Sequence, residues 1–592
     1  MISTIGRKIS GRLFQCKGPG TLGRILESRI PTTILASSAT WRMASHPSLK
    51  FLTLGSTDSV FGPHSQRHRE EEANAPQDIA LKPTEENVQT LLGSERDVEC
   101  RTPPQKQDYP STWKCVAIMI GLCLAVLCMA LDNTILATAI PKITEEFNSV
   151  HDMGWYVSAY MLAPNSTTLV YGKLLTYYTI KWVYIAALLL FEGGSLICGA
   201  SPNSIALIIG RAIAVIGGSG ILVSSFLIVT VIVPVEKRPL YNGILSSLYA
   251  ISGVFGPLLG GAFTDYASWR WCFYINLPVG GVTGFFILLL FRADKPSKQS
   301  PTGAVSQLLE LDIIGLVLFI PALISLLLVL QWGGAKYPWD DAHIIALIAV
   351  FGIMILAFAA VECWPQGGAT IPPGMIRNPD VWGSLLFTFC LSGSVIIFNY
   401  YVAVALTSML SGRAVTTLGY YIPFMYATPV IASVGAGLLS TFKVSSAHSA
   451  CIGFQILYGI GVGLGFGLPL VVVQATLTTH TISSGTALVT LAQSLAGALF
   501  NFVAQSVFQT KLVQALFAEA PSLDAGKIAE AGATMIRDIV DRDMVPAVLR
   551  AYNYAITRVY LAGAALAAAA LLGVVPIRWG SVKGKKIEAA SV

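Results

Sequence analysis

Asp132, Glu192 and Arg211 each stand inside a long apolar stretch of this 592-residue chain. These residue types can bind a proton, pair with an opposite charge, or contact a polar molecule. A charged side chain in the middle of an apolar span costs about 2.5–3.5 kcal/mol on insertion scales, so it persists where it pairs or works. For Asp132 the alternatives are a pairing, titrating or cargo-contacting role, or a helix-breaking role or a satisfied bond within the bundle. Arg211 is equally costly and needs an acid, with Asp132 and Glu192 both open as candidates. Glu192 is a second candidate proton site, or a carboxylate that bonds to a neighbouring Ser or Thr. A further set is uncharged but polar or aromatic: Tyr160, Tyr249, Phe398, Asn399, Tyr400, Gln474 and Gln493. Together they suit the wall of an amphipathic cavity for bulky, mostly apolar molecules. Each alone also suits a bond between helices.

The elements that must position these residues are membrane spans. The chain is 54% hydrophobic and 12% charged, against about 25% charged residues in soluble domains. Mean hydropathy is +0.63, and the composition is that of an integral membrane protein. Apolar runs of spanning length fall near 116–139, 155–177, 182–201, 204–232, 240–263, 271–291, 311–331, 343–363, 381–410, 416–440, 449–475, 484–508 and 555–577. That makes about thirteen spans. Lys173 and Lys181, then Lys237 and Arg238, then Arg292, Lys295 and Lys298 occupy alternate loops. The positive-inside rule therefore places the N-terminus in the cytoplasm, and Arg578, Lys583, Lys585 and Lys586 place the C-terminus there too. Both ends inside requires an even number of spans, whereas the apolar runs give an odd one.

Composition also excludes several classes. The ten cysteines are scattered with no C-x-x-C pair, and the seven histidines are not spaced with acids as catalytic or metal sites require. No phosphate-binding G-x-x-x-x-G-K-[ST] loop occurs, and no Lys/Arg run suits nucleic acid. Residues 1–112 are polar and rich in Ser, Pro and Arg, without an acid before Glu27. They read as a disordered cytoplasmic tail, with a mitochondrial transit peptide as the alternative for the early part. The stretch 509–554 mixes charges evenly and reads as an amphipathic helical excursion on the outer face.

Gly253, Gly256, Gly260 and Gly261 fall close to one helix face, with Pro257 placed to kink it. Small residues at that spacing let membrane helices approach backbone to backbone.

Four segments in order, LDNTILATAIPKI, YGKLLTYYTIKW, GRAIAVIGGSG and SGVFGPLLGG, resemble the major facilitator superfamily. More narrowly, FEGGSLICGASPNS and WRWCFYINLPVGG look like the fungal 14-span drug:proton antiporters that export toxins and other secondary metabolites. The resemblance spans about residues 113–580. It implies an all-α, two-bundle transporter that exchanges small amphipathic organic molecules for protons, with Asp132, Arg211 and Glu192 in proton coupling. It implies no cofactor, the proton gradient being the energy source, and a monomer whose partners are a small organic substrate, protons and the lipid bilayer, with no nucleic acid and no metal. Gly172 and Lys173 open the loop that latches the two halves on the cytoplasmic face in this family. The Asp and second Gly of that motif are absent here, so a weakened latch is expected. The glycine-rich helix around Pro257 looks like the motif that marks exporters, a seal or hinge between alternating states.

The implied organisation is a tail at 1–112, a six-helix bundle at 113–292, a linker with two additional spans at 293–363, a second bundle at 364–577, and a cytoplasmic tail at 578–592. The chain departs from the family after Asn399-Tyr400-Tyr401, where about one span, roughly 20–25 residues, is missing. Either the second bundle lacks a helix or the gene reading has lost a segment. A siderophore or amino-acid carrier of the same fold and a transport-deficient relative are the alternatives to a pump. The plasma membrane is the expected site, the vacuolar membrane the alternative.

Overall fold

In a computed structural model the described residues are 109–149, 152–292, 312–333, 337–363, 369–398, 401–521, 523, 528, 540, 541 and 543–583. The N-terminal tail up to 108 and the last residues from 584 lie outside them. Among the described residues the fold is helical, with only isolated β-bridges besides. The first bundle comprises α1 (Thr112–Phe147), α2 (Met153–Tyr177), α3 (Ile180–Gly199), α4 (Ser204–Ile232), α5 (Arg238–Tyr266) and α6 (Asn276–Leu290), the last preceded by a one-turn helix at Trp271–Tyr274. Next come α7 (Ile313–Trp332) and α8 (Ala342–Cys363). The second bundle comprises α9 (Pro379–Phe398), α10 (Tyr401–Leu418), α11 (Ile422–Ser440), α12 (His448–Gly465, continued by Leu468–Thr476), α13 (Ile482–Glu519) and α14 (Val545–Val574).

Local signals set several of these ends. Asn203 accepts a hydrogen bond from the Ala206 amide at the start of α4, and Asp312 accepts one from Gly315 at the start of α7, each satisfying an amide that the helix leaves free. α5, α11 and α14 carry proline in their first turn, where its missing N–H costs nothing. Gly419, between α10 and α11, has φ +90, a backbone region that favours glycine.

Fourteen long helices are described where about thirteen spans are expected, and the difference lies at 381–410. That run is not one span: α9 ends at Phe398 and α10 begins at Tyr401. The packing shows that α10 is a full member of the bundle. In the first bundle α1 packs on α5 and α6, α2 on α4, and α3 on α4. In the second, α9 packs on α13 and α14, α10 on α12, and α11 on α12. The two patterns correspond pair by pair, with α13 packing on α14 in addition, so α10 holds the place of α2, and the bundles are structural repeats as in many transporters. Across the bundles α2 meets α13 and α5 meets α10. α7 and α8 pack on each other, and α7 leans on α2.

At the stretch 509–554 the structure also differs from expectation. α13 runs on to Glu519 and α14 starts at Val545, so both ends of the expected loop, 509–519 and 545–554, extend the spans themselves. The beginning of the expected C-terminal tail is packed: the Arg578 amide donates to Asp380 Oδ1 at 2.7 Å, and Lys583 Nζ donates to the Thr417 carbonyl.

Candidate functional site

α1 and α4 bring Asp132 and Arg211 together. Arg211 Nη1 lies 3.6 Å from Asp132 Oδ2, and both side chains are 1% exposed. Of the two acids open as partners, the arginine pairs with Asp132. At that distance the contact is an ion pair without a good hydrogen bond, and neither Asp132 oxygen accepts one among the described residues. Arg211 is held from two other sides. Its Nε donates to the Tyr156 carbonyl at 3.0 Å, and its guanidinium lies 4.8 Å from the centre of the Tyr160 ring, a geometry in which cation and ring attract. A buried carboxylate with one long contact is costly. Glu192, on α3, is not joined to Arg211. Its carboxylate is buried against the α6 backbone at Gly280 and, among the described residues, accepts no hydrogen bond.

Tyr160 also forms part of the wall of a cavity of about 250 Å³ that opens between the bundles. α1, α2, α4 and α5 contribute one side, α9, α12 and α13 the other. Three of the seven cavity residues expected from the sequence line it: Tyr160, Tyr249 and Gln493. Two others do not. Phe398 is 1% exposed and packs against the rings of Tyr458 and Tyr560 at 4.4 and 4.9 Å, so it belongs to the core of the second bundle. Gln474 is buried in a contact between bundles, described below. Asn399 and Tyr400 lie outside the described residues. The lining also includes Asn133, Asn165, Ser252, Ser392 and Thr490, which sequence reasoning did not select. Asn133 follows Asp132 directly, and Asn165 opens the triplet Asn165-Ser166-Thr167 inside an apolar run; those were the available signals.

The end of the molecule that carries Lys173, Lys237 and Arg238, here termed the basic end, is closed by bonds between bundles. Arg238, 2% exposed, donates to the Thr230 and Val233 carbonyls of its own bundle and reaches the Gln474 carbonyl at 3.1 Å. The Gln474 side chain donates to the Phe226 carbonyl at 3.2 Å and accepts from Asn242 Nδ2 at 2.9 Å. Thr176 and Ser483 share a hydrogen bond of 2.6 Å. Gly172 approaches α13 so closely that an added Cβ would stand 2.6 Å from that of Ala487. Lys173 Nζ donates to the Ala369 carbonyl at 2.6 Å, tying α2 to the segment that leads into α9. The missing Asp of the family latch is thus accompanied by a seam of amides, hydroxyls and main-chain carbonyls. At the opposite end the described polar contacts stay within one bundle or the other, with Glu146 accepting from Trp269 and Arg270 at 2.6 and 2.9 Å in the first and Arg550 donating to Glu519 at 2.6 Å in the second.

The glycines of α5 divide by face. An added Cβ at Gly256 would meet Thr134 Oγ1, and one at Gly260 would meet Thr138 Oγ1 and the Ile135 carbonyl, all on α1. Thr134 seals this approach by donating to the Ser252 carbonyl at 2.9 Å. Gly261 has open space around it, Gly253 is half-buried, and α5 passes through Pro257 unbroken.

Residues 122–501 match the family model described as Major Facilitator Superfamily. The chain is 87% identical to the MFS-type transporter opaD of Aspergillus ustus, covering 93% of this chain and 97% of that one. It is 51% identical to the MFS-type transporter astH of Aspergillus oryzae over 81% of this chain and 89% of that one. It is 43% identical to the efflux pump roqT of Penicillium rubens over 82% and 97%. The opaD alignment runs over 572 positions, yet 93% of 592 residues is about 551, so about 21 positions of that relative have no counterpart here. That number is close to the length expected to be missing, and in the structure the second bundle keeps six long helices, α9 ending at Phe398 and α10 beginning at Tyr401. Twelve long helices in two repeated bundles with two more between them in the chain, a cavity between the bundles and these matches lead to one assignment: the chain belongs to the major facilitator superfamily and is a multi-pass membrane transporter.

Proposed function

We propose that this transporter is a proton-coupled exporter of small amphipathic organic molecules or secondary metabolites, working as a drug or toxin:proton antiporter. The observation that carries the reading is the place of the Asp132–Arg211 pair. It lies directly behind the cavity wall, with Tyr160 touching both the guanidinium and the cavity. A proton on Asp132 removes the charge that faces Arg211, leaving the arginine to its contacts with Tyr156 and Tyr160. Binding of a proton and repositioning of the wall are then linked in free energy. Glu192 is a second proton site in this reading. The names of relatives such as the efflux pump roqT support export as the direction.

By the positive-inside rule the basic end faces the cytoplasm, and the plasma membrane is the proposed location. The conformer described here is closed on that side. Gly172 and Lys173 belong to the seam that must part when cargo enters, while Gly256 and Gly260 let α5 pack on α1 as the bundles rock. Asp132→Asn in membrane vesicles tests the reading. Proton-driven efflux is expected to fall to background at normal membrane abundance, while exchange of cargo without a proton gradient persists. Unchanged proton-driven efflux in this variant would sink the coupling role.

A further inference from the structure

The polar groups of the central cavity are mostly spent, and the few that remain define what can bind. None of the described residues lining it is Asp, Glu, Lys, Arg or His. A charged cargo would lose its hydration there without gaining a counter-charge, because the nearby Asp132 and Arg211 offset each other behind Tyr160. Apart from Ser392, the lining hydroxyls donate their protons elsewhere. Thr168 donates to the Pro164 carbonyl, Ser252 to Tyr249, Thr490 to Thr486, Tyr160 to Met129, and Ser494 to the side chain of Asn165. A hydroxyl so committed can only accept from a ligand. Among the described residues, the carboxamides of Asn133 and Gln493 make no hydrogen bond, although both line the cavity. Each offers an N–H donor and a carbonyl acceptor side by side. They come from opposite bundles, Asn133 from α1 and Gln493 from α13.

We infer that the cargo is an uncharged molecule bearing a hydrogen-bond donor next to an acceptor, as in a lactam or carboxamide, and that Asn133 and Gln493 are the residues that read this pair. The inference rests on the cavity being the cargo site of the proposed exporter. A free carboxamide exposed in an apolar cavity gains most from a ligand that satisfies both of its halves, because a partner left unpaired costs more than an average bond gains. Contacts from both bundles also make such a cargo sensitive to their relative movement.

The test uses two fluorescent, uncharged isosteres, the lactam aminomethylquinolinone and the lactone aminomethylcoumarin, with ethidium as a fixed cation. Binding to the purified full chain is measured by fluorescence titration. The lactam is expected to bind about tenfold tighter than the lactone, the loss of one buried hydrogen bond, and ethidium weakest. Asn133→Leu and Gln493→Leu should each shrink the lactam preference to about twofold or less, with Asn133→Gln restoring part of it; melting temperature confirms folding. Equal binding of lactam and lactone, binding of neither, tighter binding of ethidium, or an unaltered preference in both Leu variants would overturn the inference. Proton-driven uptake into vesicles separates this from the pump reading. Selective binding without proton-driven movement removes the pump and keeps the carboxamide site, whereas proton-driven movement without lactam preference does the reverse.

Discussion

Replacing Gln474 by Leu should open the basic end without touching the cavity or the ion pair. Gln474 is 1% exposed and joins the bundles twice through its side chain, donating to the Phe226 carbonyl at 3.2 Å and accepting from Asn242 at 2.9 Å. Leu has a similar volume and can do neither, so the Asn242 amide loses this acceptor and the Phe226 carbonyl this second donor while this end stays closed. A buried hydrogen bond contributes about 0.5–1.5 kcal/mol net, so the two together hold the closed state by about 1–3 kcal/mol. When the end opens, water replaces both bonds, and the penalty of the substitution disappears. The open-to-closed ratio should therefore rise by about 5- to 150-fold. Arg238 is unaffected, because it bonds the main-chain carbonyl of residue 474.

A cysteine placed at Ser484 reports this equilibrium. Ser484 is 8% exposed, and its backbone lies beside Gly172 in the seam, so a thiol there reacts with a charged maleimide only when the bundles part. Labelling would be followed in inside-out vesicles, with the signal of the parent chain, which has ten native cysteines, subtracted. Gln474→Leu should accelerate labelling by at least fivefold. If the rate stays within a factor of two while the protein remains folded, the amide seam does not hold the closed state, and the reasoning fails.

Three further outcomes follow from the packing. Gly256→Val should lower stability by about 1–3 kcal/mol, as overpacking does, because its side chain would enter Thr134 of α1, whereas Gly261→Ala, with open space around it, should leave the melting temperature in detergent unchanged. Phe398→Ala should cost about 3–5 kcal/mol through the lost contacts with Tyr458 and Tyr560, and should leave the lactam preference intact; a changed preference would return Phe398 to the cavity. Transcript sequencing across the codons for residues 395–425 is expected to reveal about twenty further codons in frame, matching the length that the opaD relative carries. A transcript identical to the chain as it stands would mean a truly shortened hairpin and favour a transport-deficient relative.

The sequence revealed the site's charges more readily than its shape. Asp132 and Arg211 announce themselves because a charge in an apolar helix needs a reason, but nothing in linear spacing says which acid meets the arginine; only the packing of α1 against α4 does. The cavity is harder. Hydroxyls such as Thr168 and Thr490 bond their own helix four residues back, which makes them inconspicuous in an apolar run wherever they face. Phe398 and Gln474 show the converse, since an aromatic ring or an amide in a span serves a core or a seam as well as a ligand. The hairpin between α9 and α10 escaped because apolar residues continue through it, so a hydropathy window finds no boundary.

One signal in the sequence nevertheless points to the seam between the bundles. Of the fourteen long helices, α2, α10, α5 and α13 are the least apolar, and they are the four that pair across the bundles. The physical reason is that these helices face a cavity and a parting interface, where water must be tolerated in one state and excluded in the other. A fully apolar face would bind too firmly to release, and lipid-facing helices such as α7 and α8 meet no such demand. Polarity spread thinly over a helix is thus informative when it is compared among spans. On that comparison α10 stands beside α2 as its counterpart, although its boundary with α9 is invisible. Gly243 against the Ser408 carbonyl and Gly412 against that of Pro239 give the seam its close approach on the α5–α10 side. Any change that lengthens the α9–α10 connection should leave these contacts in place, because the backbone approach fixes the register of α10 independently of the length of chain that leads to it.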